Sequence, residues 1–366
     1  MRVLHVFKTY MPETYGGIER VINSIVVGTA ALGVESTVLS LGERTDVEGR
    51  ADGHRALTAK RDFEVASTGF SRDFLRLLKQ QAAMHDVINY HFPWPFMDLG
   101  HLMVNPSRKY VVTYHSDIVR QRYLERLYSP LMARFLGGAE RIVATSPNYV
   151  STSKTLQRYA EKVVVIPPGI ADVSASAGDA DIVGRWRKRF PRRLFIFTGM
   201  LRYYKGLEYL VAAARHVDAD IAIVGTGPEA QRLSKLAGSS ACTNVHFLGR
   251  LDELDKYALL SLCDGFVFPS HLRSEAYGIS LVEAAMMGKP MITCEIGTGT
   301  SFINLHGETG LVIPAKNPEA IGLAMMRLLN APDEAKEFGA RARERFESTF
   351  SIERMAQHYA EIYRAL

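Results

Sequence analysis

The sequence predicts an α/β fold of two doubly wound, Rossmann-like parallel-sheet domains. The first observation is the length of 366 residues, which exceeds one comfortable core and suits two domains of ordinary size. The second is the composition, 47% hydrophobic and 23% charged, which is that of a globular and not a disordered chain. The third is the alternation of short β-type runs with helical segments almost from end to end, which is typical of parallel sheets covered by helices.

The first half contains six predicted strands. They lie at Arg2–Val6, Glu35–Ser40, Val87–Tyr90, Tyr110–Tyr114, Arg141–Thr145 and Val163–Ile166. We predict helices over Gly17–Leu32, closed by Gly33 as a C-terminal cap, and over Ser71–His85, which begins at the capping residue Ser71. Pro167-Pro168-Gly169 ends the sixth strand, and the stretch 172–181 has the small and polar residues of a linker.

The strand–helix pattern then restarts and continues to a helical tail that begins at Pro318. The predicted strands of the second half are Leu194–Thr198, Ala219–Val224, Val245–Leu248, Gly265–Phe268, Pro290–Thr293 and Gly310–Ile313. We therefore expect one domain over residues 1–170 and a second over residues 171–350.

Several classes of protein are excluded by composition. The three cysteines, Cys242, Cys263 and Cys294, show no CxxC spacing, so neither a disulfide framework nor a zinc knuckle is expected. No apolar run approaches the ~18 residues of a spanning helix, and the chain enters a strand pattern directly without a secretory leader. These features predict a cytoplasmic protein.

The net charge of +5 and pI near 9.0 indicate an anionic partner without naming it. Six of the nine residues from Arg185 to Arg193 are basic, and Arg72, Arg76 and Lys79 recur at helical spacing. Such a stripe is either a solvated surface or a contact with an anionic membrane leaflet. No aromatic-rich or zinc-finger pattern accompanies these charges, so nucleic acid is not an expected partner.

Ligands of parallel sheets bind at the carboxyl ends of the strands, so the residues that follow each strand are the candidates for a site. After the first strand, Gly16-Gly17 opens a helix, and its exposed N–H groups form either an anion site or a tight turn. His115 directly follows the fourth strand and is either a site residue or a structural histidine.

The first strand of the second half precedes two cations, Arg202 and Lys205, just before a helix. Such a pair neutralises a diphosphate, although two surface charges near a helix cap have the same spacing. The next strand ends in Val224-Gly225-Thr226-Gly227, where the backbone either approaches a ligand closely or simply turns.

The most specific signal follows the strand at Gly265–Phe268. Glu275 precedes a glycine-containing turn, and Glu283 lies inside the helix that follows. If that helix begins near Ile279, the N–H groups of Tyr277, Gly278, Ile279 and Ser280 point at an anion between the two carboxylates. The alternative is a pair of glutamates that face solvent.

The Glu275 to Glu283 element resembles the Glu-x7-Glu motif of the retaining glycosyltransferases of family four. Further motifs occur in family order: Gly16-Gly17, His115, Lys205-Gly206, Val224-Gly225-Thr226-Gly227 and Pro269-Ser270. The resemblance spans nearly the whole chain. It implies the GT-B architecture, in which two Rossmann-like domains face each other across a cleft, with the C-terminal helix 351–366 returning to the acceptor-binding first domain.

The resemblance also implies a role for each matching residue. Glu275 would contact hydroxyls of the donor sugar, Glu283 the ribose hydroxyls, and the 277–280 backbone the diphosphate. His115 would face the reacting side of the sugar, and Gly16-Gly17 would approach the phosphates. One position departs from the pattern, because Met200 stands where the family usually has its phosphate-binding arginine; Arg202, in the stretch Arg-Tyr-Tyr-Lys-Gly, is the expected substitute.

Lys8-Thr9-Tyr10 and the run from Tyr114 to Val119 are also similar to bacterial O-antigen mannosyl- and rhamnosyltransferases. We therefore expect transfer of a hexose, mannose or rhamnose from a GDP-sugar, onto a lipid-linked saccharide at the cytoplasmic face of the membrane. No Asp-x-Asp pair stands at a strand end, so we expect neither a metal nor another cofactor. The alternatives are a UDP-sugar donor, a nucleotide-sugar epimerase on the same fold, and a non-catalytic saccharide- or nucleotide-binding protein.

Overall fold

The chain folds into two compact units. The computed structural model describes residues 1–65, 68–118, 122–239 and 242–366, with the backbone alone of 122–127 and 176–177. The first unit comprises Met1–Ile170 together with Ile352–Leu366, and the second comprises Ala171–Ser351. Val119, the last residue of the O-antigen-like run, lies outside the described residues.

The first unit contains ten strands and seven helices in its described part. The strands are β1 (Arg2–Val6), β2 (Glu35–Gly42), β3 (Arg50–Ala51), β4 (His54–Lys60), β5 (Phe63–Val65), β6 (Thr68–Phe70), β7 (Val87–Phe92), β8 (Tyr110–Tyr114), β9 (Arg141–Ala144) and β10 (Val163–Val165). The helices are α1 (Gly17–Ala30), α2 (Arg72–Met84), α3 (Pro95–Val104), α4 (Arg122–Gly138), α5 (Pro147–Thr152), α6 (Lys154–Arg158) and the C-terminal helix, which is α15 (Ile352–Arg364).

The described strands of this unit form an eight-stranded sheet in the order β10-β9-β8-β7-β1-β2-β4-β3. All pairs are parallel except β3 with β4, and β5 and β6 form a separate antiparallel hairpin. All six strands that the sequence predicts are present. Strands β3 to β6 are not among those predicted from the sequence, because β3, β5 and β6 have only two or three residues each and β4 has polar and basic residues such as His54 and Arg55 in place of an apolar run.

The C-terminal helix α15 packs on one face of this sheet. Tyr363 accepts a 2.7 Å hydrogen bond from the side-chain amide of Asn89, and Tyr359 lies 3.1 Å from the hydroxyl of Thr113. Both tyrosines are buried. A chain terminus held by buried hydrogen bonds is part of the core and not a loose tail.

The second unit contains six strands and eight helices in its described part. They are α7 (Ala180–Arg189), β11 (Leu194–Thr198), α8 (Leu207–Ala214), β12 (Asp220–Val224), α9 (Ala230–Ser239), β13 (Val245–Gly249), α10 (Glu253–Leu262), β14 (Gly265–Phe268), α11 (Ile279–Met286), β15 (Met291–Glu295), α12 (Thr300–Ile303), β16 (Gly310–Pro314), α13 (Pro318–Asn330) and α14 (Pro332–Arg345).

Within the described residues, the strands of the second unit form a parallel sheet in the order β13-β12-β11-β14-β15-β16. The chain builds outward from β11 through β12 and β13, then returns to place β14 on the other side of β11. The switch point of this doubly wound sheet therefore lies between β11 and β14, where ligands of such sheets bind.

The predicted linker at 172–181 directly follows the boundary between the two units and contains short helical structure. A 3₁₀ helix covers Ser174–Gly178, and Asp179 caps α7 by accepting the N–H groups of Asp181 and Ile182. The guanidinium of Arg343 binds the carboxylate of Asp172, so this stretch is tied to the second unit. Small polar residues serve here as caps and turn formers.

No helix of the described residues combines the length and the apolar character that a bilayer crossing requires.

The close packing of α15 against α1 can be tested at Gly28, which lies on α1. A Cβ at this position would lie 2.9 Å from the Cβ of Ala356 and 3.0 Å from Cγ1 of Ile352. We expect Gly28→Ala to destabilise the first unit, because overpacking costs about 1–3 kcal/mol and exceeds the ~1 kcal/mol that alanine adds to helix propensity.

The control is Gly137→Ala in α4, where no described atom lies within 4 Å of the added Cβ, so stability should be unchanged or raised. Urea unfolding can be followed through Trp94, which is buried in the first unit, in a Trp186→Phe background. Equal midpoints for the two alanine variants would contradict the close packing of α1 on α15.

Candidate active site

The loops after β11 and β14 meet at the switch point of the second sheet. Lys205 ends a 3₁₀ turn at Tyr203–Lys205, and Gly206 follows with φ of 66°. A Cβ on Gly206 would lie 2.2 Å from the carbonyl oxygen of Pro269, at the end of β14. Glycine is required here both for the left-handed backbone and for the close approach of the two loops.

Lys205 and Glu275 form a buried ion pair across this junction. The ammonium of Lys205 donates to Oε2 of Glu275, and the hydroxyl of Ser270 donates to the same oxygen at 3.0 Å. Both charged side chains are only 10% exposed. The alternative of solvent-facing glutamates is therefore wrong for Glu275. Within the described residues, both hydrogen bonds use Oε2, which leaves Oε1 as an acceptor for a ligand.

Glu283 is buried as well and has a lysine of its own. The helix α11 begins at Ile279, as predicted, and Glu283 is 4% exposed. The ammonium of Lys256 donates to its Oε1 at 2.7 Å, and the hydroxyl of Tyr257 lies 3.4 Å from the same oxygen. Sequence analysis missed Lys256. Its signal is a lysine that opens the apolar run Tyr257–Leu260, where an unpaired charge would be costly.

The amino terminus of α11 is available to an anion. Gly278 precedes the helix with φ of 100°, and within the described residues no side chain caps this end and no acidic residue lies in the first turn. Helix N-terminal N–H groups favour negative charge. Arg202 is exposed nearby in sequence to Lys205, and its Nε lies 3.0 Å from the sulfur of Met200. In the described part of the chain no carboxylate pairs with Arg202, so the positive charge of its guanidinium is available to an anionic ligand.

Gly225 and Gly227 have a backbone reason to be glycine. A Cβ on Gly225 would lie 1.9 Å from the carbonyl oxygen of Gly199, and one on Gly227 would lie 2.5 Å from that of Leu201. The two loops are also joined by a 2.8 Å hydrogen bond from the N–H of Leu201 to Thr226. Close loop packing therefore explains both glycines, and their contact with a ligand stays a prediction.

In the first unit, Gly16 and Gly17 open α1, as expected. The carboxylate of Glu19 lies where a Cβ on Gly16 would be, at 2.4 Å, and accepts a 2.8 Å hydrogen bond from the hydroxyl of Thr9. At Gly16, the amino terminus of α1 therefore lies next to the carboxylate of Glu19, a residue of the same helix. Gly17 has no described atom within 4 Å of its Cβ position and is the open point of this turn.

His115 directly follows β8 and is buried, with 6% exposure. Burial lowers the pKa of its ring to about 3, so His115 is neutral at physiological pH. Its Nε2 lies 3.0 Å from Nδ1 of His91, a residue of β7 that sequence analysis did not select. A neutral ring has one nitrogen that donates a hydrogen bond and one that accepts; because Nε2 faces His91, Nδ1 is the nitrogen available to a ligand.

Comparisons with known families and proteins identify the relatives of this chain. The family described as Glycosyltransferase Family 4 matches residues 15–174, and the family described as Glycosyl transferases group 1 matches residues 181–345. The first match contains Gly16, Gly17 and His115, and the second contains both glutamates with their lysines. The two matches correspond to the two parallel-sheet units.

Two curated relatives are similar over nearly their whole length. The chain is 49% identical to the D-rhamnosyltransferase WbpZ of Pseudomonas aeruginosa, over 96% of this chain and 92% of the relative. It is 46% identical to the O-antigen chain mannosyltransferase C of Escherichia coli, over 100% of this chain and 99% of the relative.

A solved structure, the sucrose-phosphate synthase of Thermosynechococcus elongatus, has a TM-score of 0.82 at 21% identity and covers 100% of this chain and 98% of its own. This likeness gives the GT-B fold, and the sequence relatives give the enzyme class. The chain belongs to the group 1, family 4 glycosyltransferases.

Proposed function

We propose that this glycosyltransferase moves a hexose, mannose or rhamnose from a GDP-sugar, onto a lipid-linked saccharide in the synthesis of lipopolysaccharide O-antigen, with retention at the anomeric carbon. The observation that carries the proposal is the buried pair of Lys205 and Glu275 at the switch point of the second sheet. The sugar class follows from the names of the two relatives. The first unit is proposed to bind the acceptor and the second the donor.

The chemical demand is to stabilise a diphosphate leaving group while positive charge develops on the sugar ring. Lys205, Arg202 and the N–H groups of residues 277–280 supply preorganised positive potential for the diphosphate. The bond from the anomeric carbon to the phosphate oxygen breaks, and the acceptor oxygen bonds to the same face of that carbon. The acceptor proton passes to the departing phosphate oxygen, so no nucleophile of the protein takes part.

Each remaining site residue has a proposed contact. Glu275 offers Oε1 to hydroxyls of the donor sugar, while Lys205 and Ser270 hold Oε2. Glu283, fixed by Lys256, takes the ribose hydroxyls. His115 contacts the sugar, Gly17 with Gly16 forms the approach to the phosphates, and Gly225 with Gly227 shapes the floor of the donor site.

We also propose that the reaction needs no metal ion. The support is the set of cationic and N–H donors around Glu275, which perform the charge neutralisation that a divalent ion performs elsewhere. In the part of the chain that the structure describes, no group of three or more His, Cys, Asp or Glu side chains is arranged to hold a metal.

The proposed acceptor is lipid-linked, so we propose peripheral association with the anionic cytoplasmic face of the membrane. Arg72, Arg76 and Lys79 are exposed together along α2. The β5–β6 hairpin precedes α2 and carries two exposed apolar side chains, Phe63 at 57% and Val65 at 59%. Exposed basic and exposed apolar side chains are the two attractions that peripheral membrane proteins use.

Donor choice tests the proposal directly. We expect turnover with GDP-mannose or GDP-D-rhamnose and a lipid-linked saccharide acceptor, equal with and without EDTA, and no turnover with UDP-glucose or UDP-N-acetylglucosamine. Product linkage is read by NMR for the anomeric configuration. Turnover with UDP-sugars and none with GDP-sugars would contradict the proposed donor. An inverted product would contradict retention, and loss of activity in EDTA that Mg²⁺ restores would contradict metal independence.

The two glutamates should differ in kinetics. Glu275→Gln is expected to lower kcat more than it raises the donor KM, because a contact to the reacting sugar strengthens in the transition state. Glu283→Gln should chiefly raise the donor KM, because the ribose is remote from bond breaking. A lost charge-assisted hydrogen bond predicts effects of roughly 10- to 150-fold.

Glu253→Gln is the matched control, since this carboxylate lies 3.9 Å from Lys256 but its side chain is 65% exposed. It should leave both constants unchanged. Circular dichroism and thermal unfolding establish that each variant is folded. A folded Glu275→Gln enzyme with near wild-type kcat would remove Glu275 from the reacting centre.

Membrane association is tested with a charge-reversed stripe. Changing Arg72, Arg76 and Lys79 to Glu should abolish co-sedimentation with vesicles that contain about 30–40% phosphatidylglycerol, an anionic lipid content like that of a typical anionic leaflet. The reason is that each basic residue contributes about 1 kcal/mol to binding at such a surface. The control changes Arg187, Lys188 and Arg189 to Glu, an equal change of charge on exposed positions of the second unit. Equal loss of binding in both variants would mean that net charge, and not the stripe on α2, determines membrane binding.

A further inference from the structure

Three buried histidines form a continuous hydrogen-bonded chain across the sheet of the first unit. His5 lies on β1, His91 on β7, and His115 directly after β8. Nδ1 of His5 lies 3.1 Å from Nε2 of His91, and Nδ1 of His91 lies 3.0 Å from Nε2 of His115. The chain begins at Ser36 on β2, whose hydroxyl lies 3.4 Å from Nε2 of His5.

The strand register explains this alignment. Ser36 pairs with Val3 on β1, His5 pairs with Asn89 on β7, and His91 pairs with Thr113 on β8. Each member of the chain therefore stands two residues beyond the partner of the previous one. Because side chains alternate between faces with a period of two, all four project from the same face of the sheet and step toward its carboxyl edge.

All three rings are neutral. Burial lowers the pKa of His5 and of His115 to about 3, and it lowers that of His91 well below the usual value. The neighbouring side chains also favour the neutral form of the three imidazole rings. Phe7 and Tyr363 contact the rings edge-on or tilted, and His54 and His85 act at longer range to lower the pKa of His5. A neutral imidazole has one N–H and one bare nitrogen, so each ring donates to one neighbour and accepts from the other.

The hydroxyl of Ser36 sets the direction of the chain. Ser36 is buried, and among the described residues its hydroxyl has no hydrogen-bond partner other than Nε2 of His5. Were His5 the donor, the serine proton would be buried without an acceptor, which is costly. Ser36 is therefore the donor, and His5 and His91 each donate from Nδ1 to the next ring.

We propose that Ser36, His5 and His91 are positioning residues that hold His115 in the tautomer with its proton on Nδ1. Nε2 of His115 is occupied as an acceptor from His91, and no described residue binds Nδ1. His115 then presents an N–H to the ligand, so it donates to an oxygen of the donor sugar and does not take a proton from it. The contact with the sugar rests on the proposed function, whereas the tautomer does not.

The tautomer is measured without substrate by NMR of the intact enzyme labelled with ¹⁵N-histidine, in which two-bond ¹H–¹⁵N correlations identify the protonated ring nitrogen. We expect Nδ1–H on His115 in the wild type. Ser36→Ala should shift His115 toward the Nε2–H tautomer, although Ser36 lies three hydrogen bonds away, and Ser36→Thr should restore Nδ1–H. The control is Ser40→Ala, a buried serine on the same strand outside the chain.

Kinetics separate this inference from the proposed function. If His115 donates to the sugar, Ser36→Ala should lower kcat/KM about 2- to 10-fold, the effect of one neutral hydrogen bond, while Ser36→Thr and Ser40→Ala retain it. An Nε2–H tautomer in the wild type, or a His115 signal unmoved by both Ser36→Ala and His91→Leu, would overturn the inference. A shifted tautomer with unchanged kinetics would support the chain and overturn the sugar contact of His115.

Discussion

The architecture of the second unit depends on one constraint, that a carboxylate removed from water must be paired. Two glutamates are buried beside the switch point, and each has its own lysine: Lys205 for Glu275 and Lys256 for Glu283. The partners come from different strand–helix connections, so the pairs join the loop after β11 to the loop after β14, and α10 to α11. Removal of one partner would leave an uncompensated buried charge, which is far costlier than loss of a surface pair.

Close backbone packing makes these pairs possible. Gly206 brings the loop after β11 against Pro269, and Gly225 and Gly227 bring the loop after β12 against Gly199 and Leu201. Three connections thus stack edge to edge at the carboxyl ends of neighbouring strands, and none tolerates a Cβ at these contacts. The charged side chains and N–H groups therefore need to move little when a ligand binds. Fixed charges are most effective in catalysis when they are positioned in advance in this way.

The first unit solves the burial of polar groups differently, with neutral hydrogen-bonded networks. One runs from Ser36 through the three histidines, and another joins Asn89 and Thr113 to the tyrosines of α15. The second network involves α15, so a helix that follows the whole second unit in sequence packs on the sheet of the first unit. Neutral networks carry a direction of donation but no net charge, whereas the paired ions of the second unit carry both signs.

The sequence determined the strand–helix alternation, all twelve of the strands predicted from it, the start of α11 at Ile279, and the candidates Glu275, Glu283, Lys205 and His115. These are local properties of spacing, capping and apolar runs. His5 and His91 could not be selected in the same way, because their importance depends on strand order and register. Lys256 stands out locally as a lysine before an apolar run, but only the tertiary structure shows that its partner is Glu283. Sheet order brings β2, β1, β7 and β8 side by side although they are distant in the chain, and only that order aligns the histidines. In the second unit, the pairing of β11 with β14 brings the loop that carries Lys205 to Glu275.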